Sequence, residues 1–299
     1  MFQLPSPLQK IENEWTKKFD IQLYIKRDDL IHAAVSGNKW RKLKYNLTQA
    51  KYENKNTILT FGGAYSNHIT ATAKACELLG FNSIGIIRGE AYFPLNKSLQ
   101  FAADCGMQLL YLDREHYRNK NISPLLEQIE TNEAAIFIVP EGGANEYAIQ
   151  GCTEIVDEIN QQLMENYSTK NFDFICCASG TGTTIAGISM NLLAHQTAIG
   201  FSVLKHDTLK QEILSRIPNL KDNFSMQAAH FGGYAKTTPA LLQFIRDFYK
   251  TNNIILDYVY TGKMMYAFFD MLSKGFFPSK STIVVVHTGG VMNANLFEE

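Results

Sequence analysis

No stretch of this 299-residue sequence is apolar for long enough to cross a bilayer. Its start, MFQLPSPLQKIENEW, has no basic opening followed by an apolar run, so neither a signal peptide nor a membrane role is expected. An excess of charge of one sign is also missing. The 28 Lys and Arg against 29 Asp and Glu leave a net charge of -1, with no electrostatic pull toward nucleic acid or an anionic membrane. Cysteine is scarce: five residues, an odd number, with no CxxC pair, which implies a reducing compartment and a cytoplasmic protein. Cys176 and Cys177, inside FDFICCAS, read as small buried side chains. The seven histidines have no metal-ligand spacing, so no metal site is expected. Repeats, low-complexity tracts and linkers rich in Pro or Ser are absent too.

What remains is 45% apolar and 19% charged, enough for one large domain or two ordinary ones with a substantial core. Strand-like runs at 22–28, 57–63, 83–89, 108–113, 135–143, 172–179, 200–205 and 281–290 alternate with helix-like runs such as 67–79, 97–105, 148–166 and 184–193. Continuous apolar strands separated by helices predict an α/β fold with parallel sheets covered on both faces. Four of the strands run into glycine-containing loops, FGGAYSN, PEGGANE, ASGTGTT and HTGG. Ligands collect at the carboxyl ends of such strands, so these loops are expected to line one shared cleft.

The stretch SGNKWRKLKYNL (36–47) sets Lys39 and Lys42 three residues apart at the start of a helical pattern. Residues at that spacing share a face, so one amine could hold an aldehyde while the other meets a phosphate. Taken alone, they read equally as solvated helix lysines. Far downstream, ASGTGTTIAG (178–187) places Gly180 and Gly182 among Ser179, Thr181, Thr183 and Thr184 where a strand becomes a helix, a backbone nest suited to a phosphate dianion. It is neither the dinucleotide fingerprint nor the P-loop. A lysine able to form a Schiff base plus an anion nest points to pyridoxal phosphate (PLP). In FGGAYSNHITATA, Ser66 is a helix cap or, with Asn67, a donor set for a substrate carboxylate; both readings stand. Tyr234, after Gly232-Gly233, and Tyr260, opening YTGK, are packing residues unless they face the cleft.

GNKWRKLKY, GGAYSNHITATA, PEGGAN, ASGTGTT, VYTGK and VVHTGG, in that order, together with PSPLQKI and LYIKRDDL near the start, resemble the 1-aminocyclopropane-1-carboxylate (ACC) deaminase / D-cysteine desulfhydrase family of PLP enzymes. The resemblance covers nearly the whole chain, which is somewhat shorter than typical members. It implies a two-domain, tryptophan-synthase-β-like architecture (fold type II), each domain a mostly parallel twisted sheet flanked by helices. The large PLP-binding domain would take 1–51 plus 154–299 and the small inserted domain 52–153, with the cofactor in a cleft between them. Lys39 would be the Schiff-base lysine, and Lys42 would reach the phosphate, wrapped by Ser179, Gly180, Thr181, Gly182, Thr183 and Thr184. Asn67 would bond the ring hydroxyl, Ser66 with Asn67 and His68 would hold the substrate carboxylate, and Tyr234 and Tyr260 would stand over the substrate. A homodimer is implied as well.

Two positions separate the branches of that family. Deaminases tend to carry Glu after the tyrosine matching Tyr260 and Leu before the final Gly-Gly; here Thr261 and Thr288 stand there, as in desulfhydrase-like members. A carboxylate at the pyridine nitrogen favours its protonated form, whereas a hydroxyl supports a neutral ring. His68 stands where deaminases usually have Gln. The expected activity is β-elimination from a small amino acid, D-cysteine foremost, to pyruvate, ammonia and hydrogen sulfide, with neutral Lys39 taking the Cα proton. ACC deamination to 2-oxobutanoate and ammonia is the alternative, followed by a dehydratase or racemase of the same fold. A protein that holds PLP or another phosphate ligand without turnover is the non-enzymatic alternative.

Overall fold

The computed structural model describes residues 1–35, 37–123, 125, 129, 133–205, 208–217 and 223–290; Ser36, at the head of the lysine motif, lies outside the described residues. The chain forms two compact units, Met1–Asn38 with Cys152–Glu299, and Lys39–Gly151.

The first unit holds a six-stranded sheet in the order β1 (Leu8–Ile11), β2 (Gln22–Lys26), β10 (Thr282–Val286), β7 (Phe174–Ser179), β8 (Thr197–Ser202) and β9 (Phe224–Ala228). Every neighbouring pair is parallel except β1 with β2. Strand β10 reads TIVVV because it is hydrogen-bonded on both edges and buried throughout. Its helices include α1 (Glu14–Lys18), α7 (Thr183–Met190), α8 (Leu209–Arg216), α9 (Pro239–Asn252) and α10 (Thr261–Ser273). Thr238 caps α9 by accepting from Leu241 N, Pro239 pre-sets its first turn, and Asn253 ends it at φ +52°. Leu241, Ile245 and Phe248 of α9 and Phe268 and Phe269 of α10 bury against Cys176, Ile199, Phe201 and Val285 of the sheet. Each such side chain contributes about 1.5–3 kcal/mol by leaving water.

The second unit holds a four-stranded, wholly parallel sheet in the order β5 (Met107–Leu112), β4 (Asn82–Arg88), β3 (Thr57–Gly62) and β6 (Ile136–Val139). With it run α3 (Asn67–Leu79), α4 (Lys97–Asp104) and α5 (Arg114–Arg118). Residues alternate along β4, so Ile84 and Ile86 join one apolar cluster with Leu59 and Phe61, and Ile87 joins another with Ile69, Ala73 and Leu99. Helices α2 (Asn38–Tyr52) and α6 (Glu146–Tyr167) contain the boundaries between the units.

The eight strand-like runs each overlap a strand, and 67–79 is helical over its full length. Three differences carry a reason. Strand β8 starts at Thr197, before the predicted run, because Gly200 pairs within the sheet instead of opening it. Strands β1 and β9 were not expected: each lies on an edge, where short mixed sequences such as LQKI and FSMQA suffice. Among the described residues no helix is long and apolar enough to cross a membrane. All five cysteines are free, and Cys176 and Cys177 are buried as their setting suggested.

Helix α2 begins at a crowded point of the first unit. Gly37 has φ +65°, and a Cβ there would lie 1.9 Å from the Thr288 carbonyl oxygen. Gly80, which ends α3 at φ +75°, has open space where its Cβ would be. Gly80→Ala should therefore cost only the left-handed penalty, about 1–2 kcal/mol. Gly37→Ala should cost that plus the displacement of a backbone carbonyl, a clearly larger drop in the urea midpoint of unfolding. Equal drops would show that the contact yields freely.

Candidate functional site

In the first unit, β7 delivers Ser179 and the glycine nest to the start of α7. Gly182 caps α7 at φ +77° and no side chain occupies the cap, so the helix opens on its own backbone N–H groups. A Cβ on Gly182 would lie 2.6 Å from Ile213, and one on Gly180 would lie 3.3 Å from Tyr260 Cε1. The Thr181 and Thr183 hydroxyls are 3.1 Å apart, and the Ser179 hydroxyl is buried with no hydrogen-bond partner. Thr184 Oγ1 accepts from Asn38 Nδ2 at 2.8 Å, and the Thr288 carbonyl accepts from Asn38 N at 3.3 Å. An uncapped helix start, two glycines pressed by neighbours and an orphaned hydroxyl form a nest that fits a phosphate dianion.

Tyr260 and Thr261 stand at the start of α10. Thr261 is fully buried, and its hydroxyl donates to Asp257 Oδ1 at 2.7 Å while accepting from Asp257 N at 3.0 Å. Asp257 also accepts from Thr261 N on Oδ1 and from Val259 N and Tyr260 N on Oδ2, each at 2.8 Å. The carboxylate caps α10 and the Thr261 proton is committed to it. Tyr234 is 51% exposed on a loop in which Gly232, Gly233 and Ala235 all have positive φ. That loop is tied down by Lys263, whose ammonium donates to the carbonyls of His230 at 3.1 Å and Gly233 at 2.8 Å. Burial pushes the Lys263 pKa down, opposed by the Asp257 charge. Neither Asp257 nor Lys263 was singled out from the sequence; an Asp four residues before a Thr at a helix start was the available signal for the first.

The second unit gathers Lys39, Lys42, Ser66, Asn67 and His68. Lys42 is buried and Lys39 half-buried on α2. A Cβ on Gly143, of the PEGGAN loop, would lie 3.2 Å from Lys42 Cβ, so the glycine makes room for that stem. Asn46 Nδ2 donates to the Lys42 carbonyl at 2.7 Å, and the Asn46 and Asn145 amides donate to each other at 3.1 and 2.6 Å. Asn145 also accepts from Ala148 N at the head of α6, so PEGGAN is locked to α2 through an amide pair that the sequence reading did not identify. Ser66 caps α3, accepting from His68 N at 3.2 Å and Ile69 N at 3.4 Å, and its own proton remains available to donate.

The protonation of His68 follows from its partners. Thr60 Oγ1 gives its one proton to the Val139 carbonyl at 2.8 Å, so toward His68 Nε2, also at 2.8 Å, it can only accept. His68 therefore carries its proton on Nε2, and Nδ1, buried and without a partner, keeps a bare lone pair. Burial, with the charges of Lys39 and Lys42 adding to it, lowers the His68 pKa to about 3. An unfolded His protonates near its ordinary 6.5, so between pH 6.5 and 3 the unfolded chain takes up a proton that the folded chain refuses. Acid should weaken the fold across that window by up to about 1.4 kcal/mol per pH unit. Nitrogen-15 NMR at about pH 5 should find neutral, Nε2-protonated His68; an imidazolium there would contradict the assignment. Lys263→Met should speed proteolytic cleavage within 230–236 at an unchanged melting temperature. Unchanged cleavage would mean the loop holds itself.

A family model described as pyridoxal-phosphate dependent enzyme matches residues 1–289. A Pyrococcus furiosus protein provisionally named 1-aminocyclopropane-1-carboxylate deaminase is 32% identical over 299 residues, covering 96% of this chain and 89% of its own. The mitochondrial bifunctional D-cysteine desulfhydrase/1-aminocyclopropane-1-carboxylate deaminase of Arabidopsis thaliana is 30% identical, covering 91% of this chain and 73% of its own. A crystal structure of an ACC deaminase homologue superposes with a TM-score of 0.84 at 27% identity, covering 98% of this chain and 91% of that one.

Proposed function

Because the chain belongs to the pyridoxal-phosphate dependent enzyme family, with the fold of its tryptophan-synthase-β-like members, we propose that it eliminates the β-substituent of a small amino acid, D-cysteine foremost. D-cysteine and water would leave as pyruvate, ammonia and hydrogen sulfide. The observation that carries this reading against ACC deamination is Thr261. It stands where a deaminase-type carboxylate would be expected, and the acid bonded to it, Asp257, is consumed in capping α10. Neither offers a free acid to protonate a ring nitrogen; a neutral ring suffices when a good leaving group departs from Cβ.

The nest from Ser179 to Thr184 fits a phosphate dianion; the family resemblance would add Lys42 as a further cationic partner of the cofactor, Lys39 as its point of covalent attachment, Asn67 at its ring hydroxyl and Thr288 as a further contact. The cofactor, when bound, supplies an electron sink for the pair left on Cα. Lys39, as a neutral amine, takes the Cα proton. Ser66, with its free proton and the adjacent helix N-terminus, holds the substrate carboxylate, and Asn67 shares in that contact. His68 cannot serve as a cation there; its Nδ1 lone pair accepts a hydrogen from whatever donor faces it. Tyr260, packed over Gly180, and Tyr234, on the loop held by Lys263, are the candidates to position or protonate the departing sulfur.

Two measurements test this. Borohydride reduction of the PLP-loaded protein followed by peptide mass analysis should find the cofactor on Lys39, and Lys39→Ala should lose both that label and turnover. Label elsewhere would remove Lys39 from its role. Given D-cysteine, L-cysteine and ACC in parallel, the protein should form sulfide and pyruvate from D-cysteine with little 2-oxobutanoate from ACC. Dominant 2-oxobutanoate would instead favour the deaminase reading.

A further inference from the structure

A second concentration of charge lies in the second unit, apart from the residues assigned above. Arg88, Arg114, Tyr117, Arg118, Lys120 and Glu141 line a cavity of about 640 Å³. That is the size of a small-molecule site, which generally spans about 300–1,000 Å³. Arg88 ends β4, α5 follows β5, and Glu141 follows β6, so in this all-parallel sheet the cavity opens at the carboxyl ends of the strands. Three guanidiniums and one ammonium face a single carboxylate.

That carboxylate pairs with Lys120 at 2.7 Å and interacts with the Tyr117 hydroxyl. Arg114 and Arg118, one turn apart on α5, and Arg88 form no ion pair among the described residues. At the centre stands Tyr117. Its ring has Lys120 Nζ 3.7 Å and Arg88 Cζ 5.8 Å from its centroid, and its residue surface is only 3% exposed. Its hydroxyl is buried with no partner at ordinary hydrogen-bond distance. Burial, the neighbouring Glu141 charge and a hydrogen-bonding interaction with that carboxylate push the Tyr117 pKa well up, so it stays protonated, a donor whose one nearby acceptor lies beyond ordinary hydrogen-bond distance. An oxygen-rich anion in the cavity would give that hydroxyl the close acceptor it lacks.

We infer that this cavity is a binding site for a diphosphate group, free or carried by a nucleotide. Guanidinium forks match phosphate oxygens in pairs, and several of them around one cavity suit an anion of more than one phosphate. The Tyr117 hydroxyl supplies a neutral donor to the same oxygens, and Lys120 can turn from Glu141 to the ligand. Because Glu141 belongs to the PEGGAN loop, whose Gly143 packs beside the Lys42 stem, a ligand here touches a loop that borders a residue of the proposed active centre. The site itself does not depend on which amino acid is the substrate.

Calorimetric titration of inorganic pyrophosphate into the PLP-loaded protein tests it, the loaded form being used so that the nest at α7 is filled. Saturable binding is expected, weakening as salt is raised. The double variant Arg114→Ala/Arg118→Ala, at exposed positions, should keep its melting temperature and bind roughly tenfold more weakly. Tyr117→Phe should weaken binding several-fold with little change in stability, since the lost hydroxyl has no acceptor at ordinary hydrogen-bond distance in the free protein. Glu141→Gln should tighten binding by removing the competing carboxylate. Absence of saturable binding, or equal binding by the wild type and the double variant, overturns the site. ADP binding at least as tightly as pyrophosphate supports a nucleotide ligand, and pyrophosphate binding without ADP supports the free diphosphate.

Discussion

The approach of Gly37 to the Thr288 carbonyl is the constraint on which the first unit's chemistry rests. No side chain fits at residue 37, because the space of its Cβ is already occupied by backbone. The approach lets Asn38 donate its backbone N–H to the Thr288 carbonyl and its side-chain amide to Thr184 at once. The carboxyl end of β10, the head of α7 and the head of α2 are thereby joined by one buried residue. Lys39 comes next in the chain, so the position from which its side chain departs is set by two hydrogen bonds and a forbidden Cβ. This is why a glycine must precede the asparagine of GNK: the motif encodes a close approach as much as a reactive amine.

The second unit meets a different difficulty, that of keeping charge in a buried place. Lys42 is buried and Lys39 half so, and the imidazole beside them cannot afford a third positive charge. Thr60 resolves the ambiguity of that ring. With its proton given to Val139, it imposes one tautomer on His68 and leaves the other nitrogen as a bare acceptor. A glutamine at this position would present a donor and an acceptor on a flexible stem; the histidine presents one acceptor on a ring fixed at its far side. A His here rather than a Gln thus changes the kind of hydrogen bond offered.

Much of this was legible in the sequence, and the reasons for the remainder are physical. Central strands such as TIVVV and FICCAS announce themselves because burial on both faces permits only apolar residues. The edge strands β1 and β9 do not, since one exposed edge tolerates Gln, Lys and Ser. The glycine nest at α7 and the lysine pair on α2 were readable because both demand unusual residues at fixed spacing. Ser66 was ambiguous in sequence and is only half resolved by structure: it caps α3, yet a hydroxyl that accepts can still donate. Thr261 was read as a hydroxyl available to a ring, whereas its proton belongs to Asp257. The lesson is that a polar residue at a helix start must first be tested against the helix's own unsatisfied groups. Lys263, Asn46 and Asn145 act by holding loops, through contacts between distant parts of the sequence that no local pattern encodes.

The two proposed anion sites answer the same electrostatic problem in opposite ways, and the parallel sheet explains why both exist. Every parallel strand points its carboxyl end to the same side, so each sheet carries a row of strand-end loops with room for ligands. At α7 the positive field comes from backbone N–H groups, fixed in direction and unable to titrate or move away. At α5 it comes from flexible guanidiniums and a lysine already engaged with Glu141. A backbone nest holds a permanent tenant well, because nothing must be reorganised when it arrives. A side-chain cluster with an internal competitor favours exchange, because Lys120 always has Glu141 to return to. The first arrangement suits a resident cofactor and the second a ligand that comes and goes with its concentration.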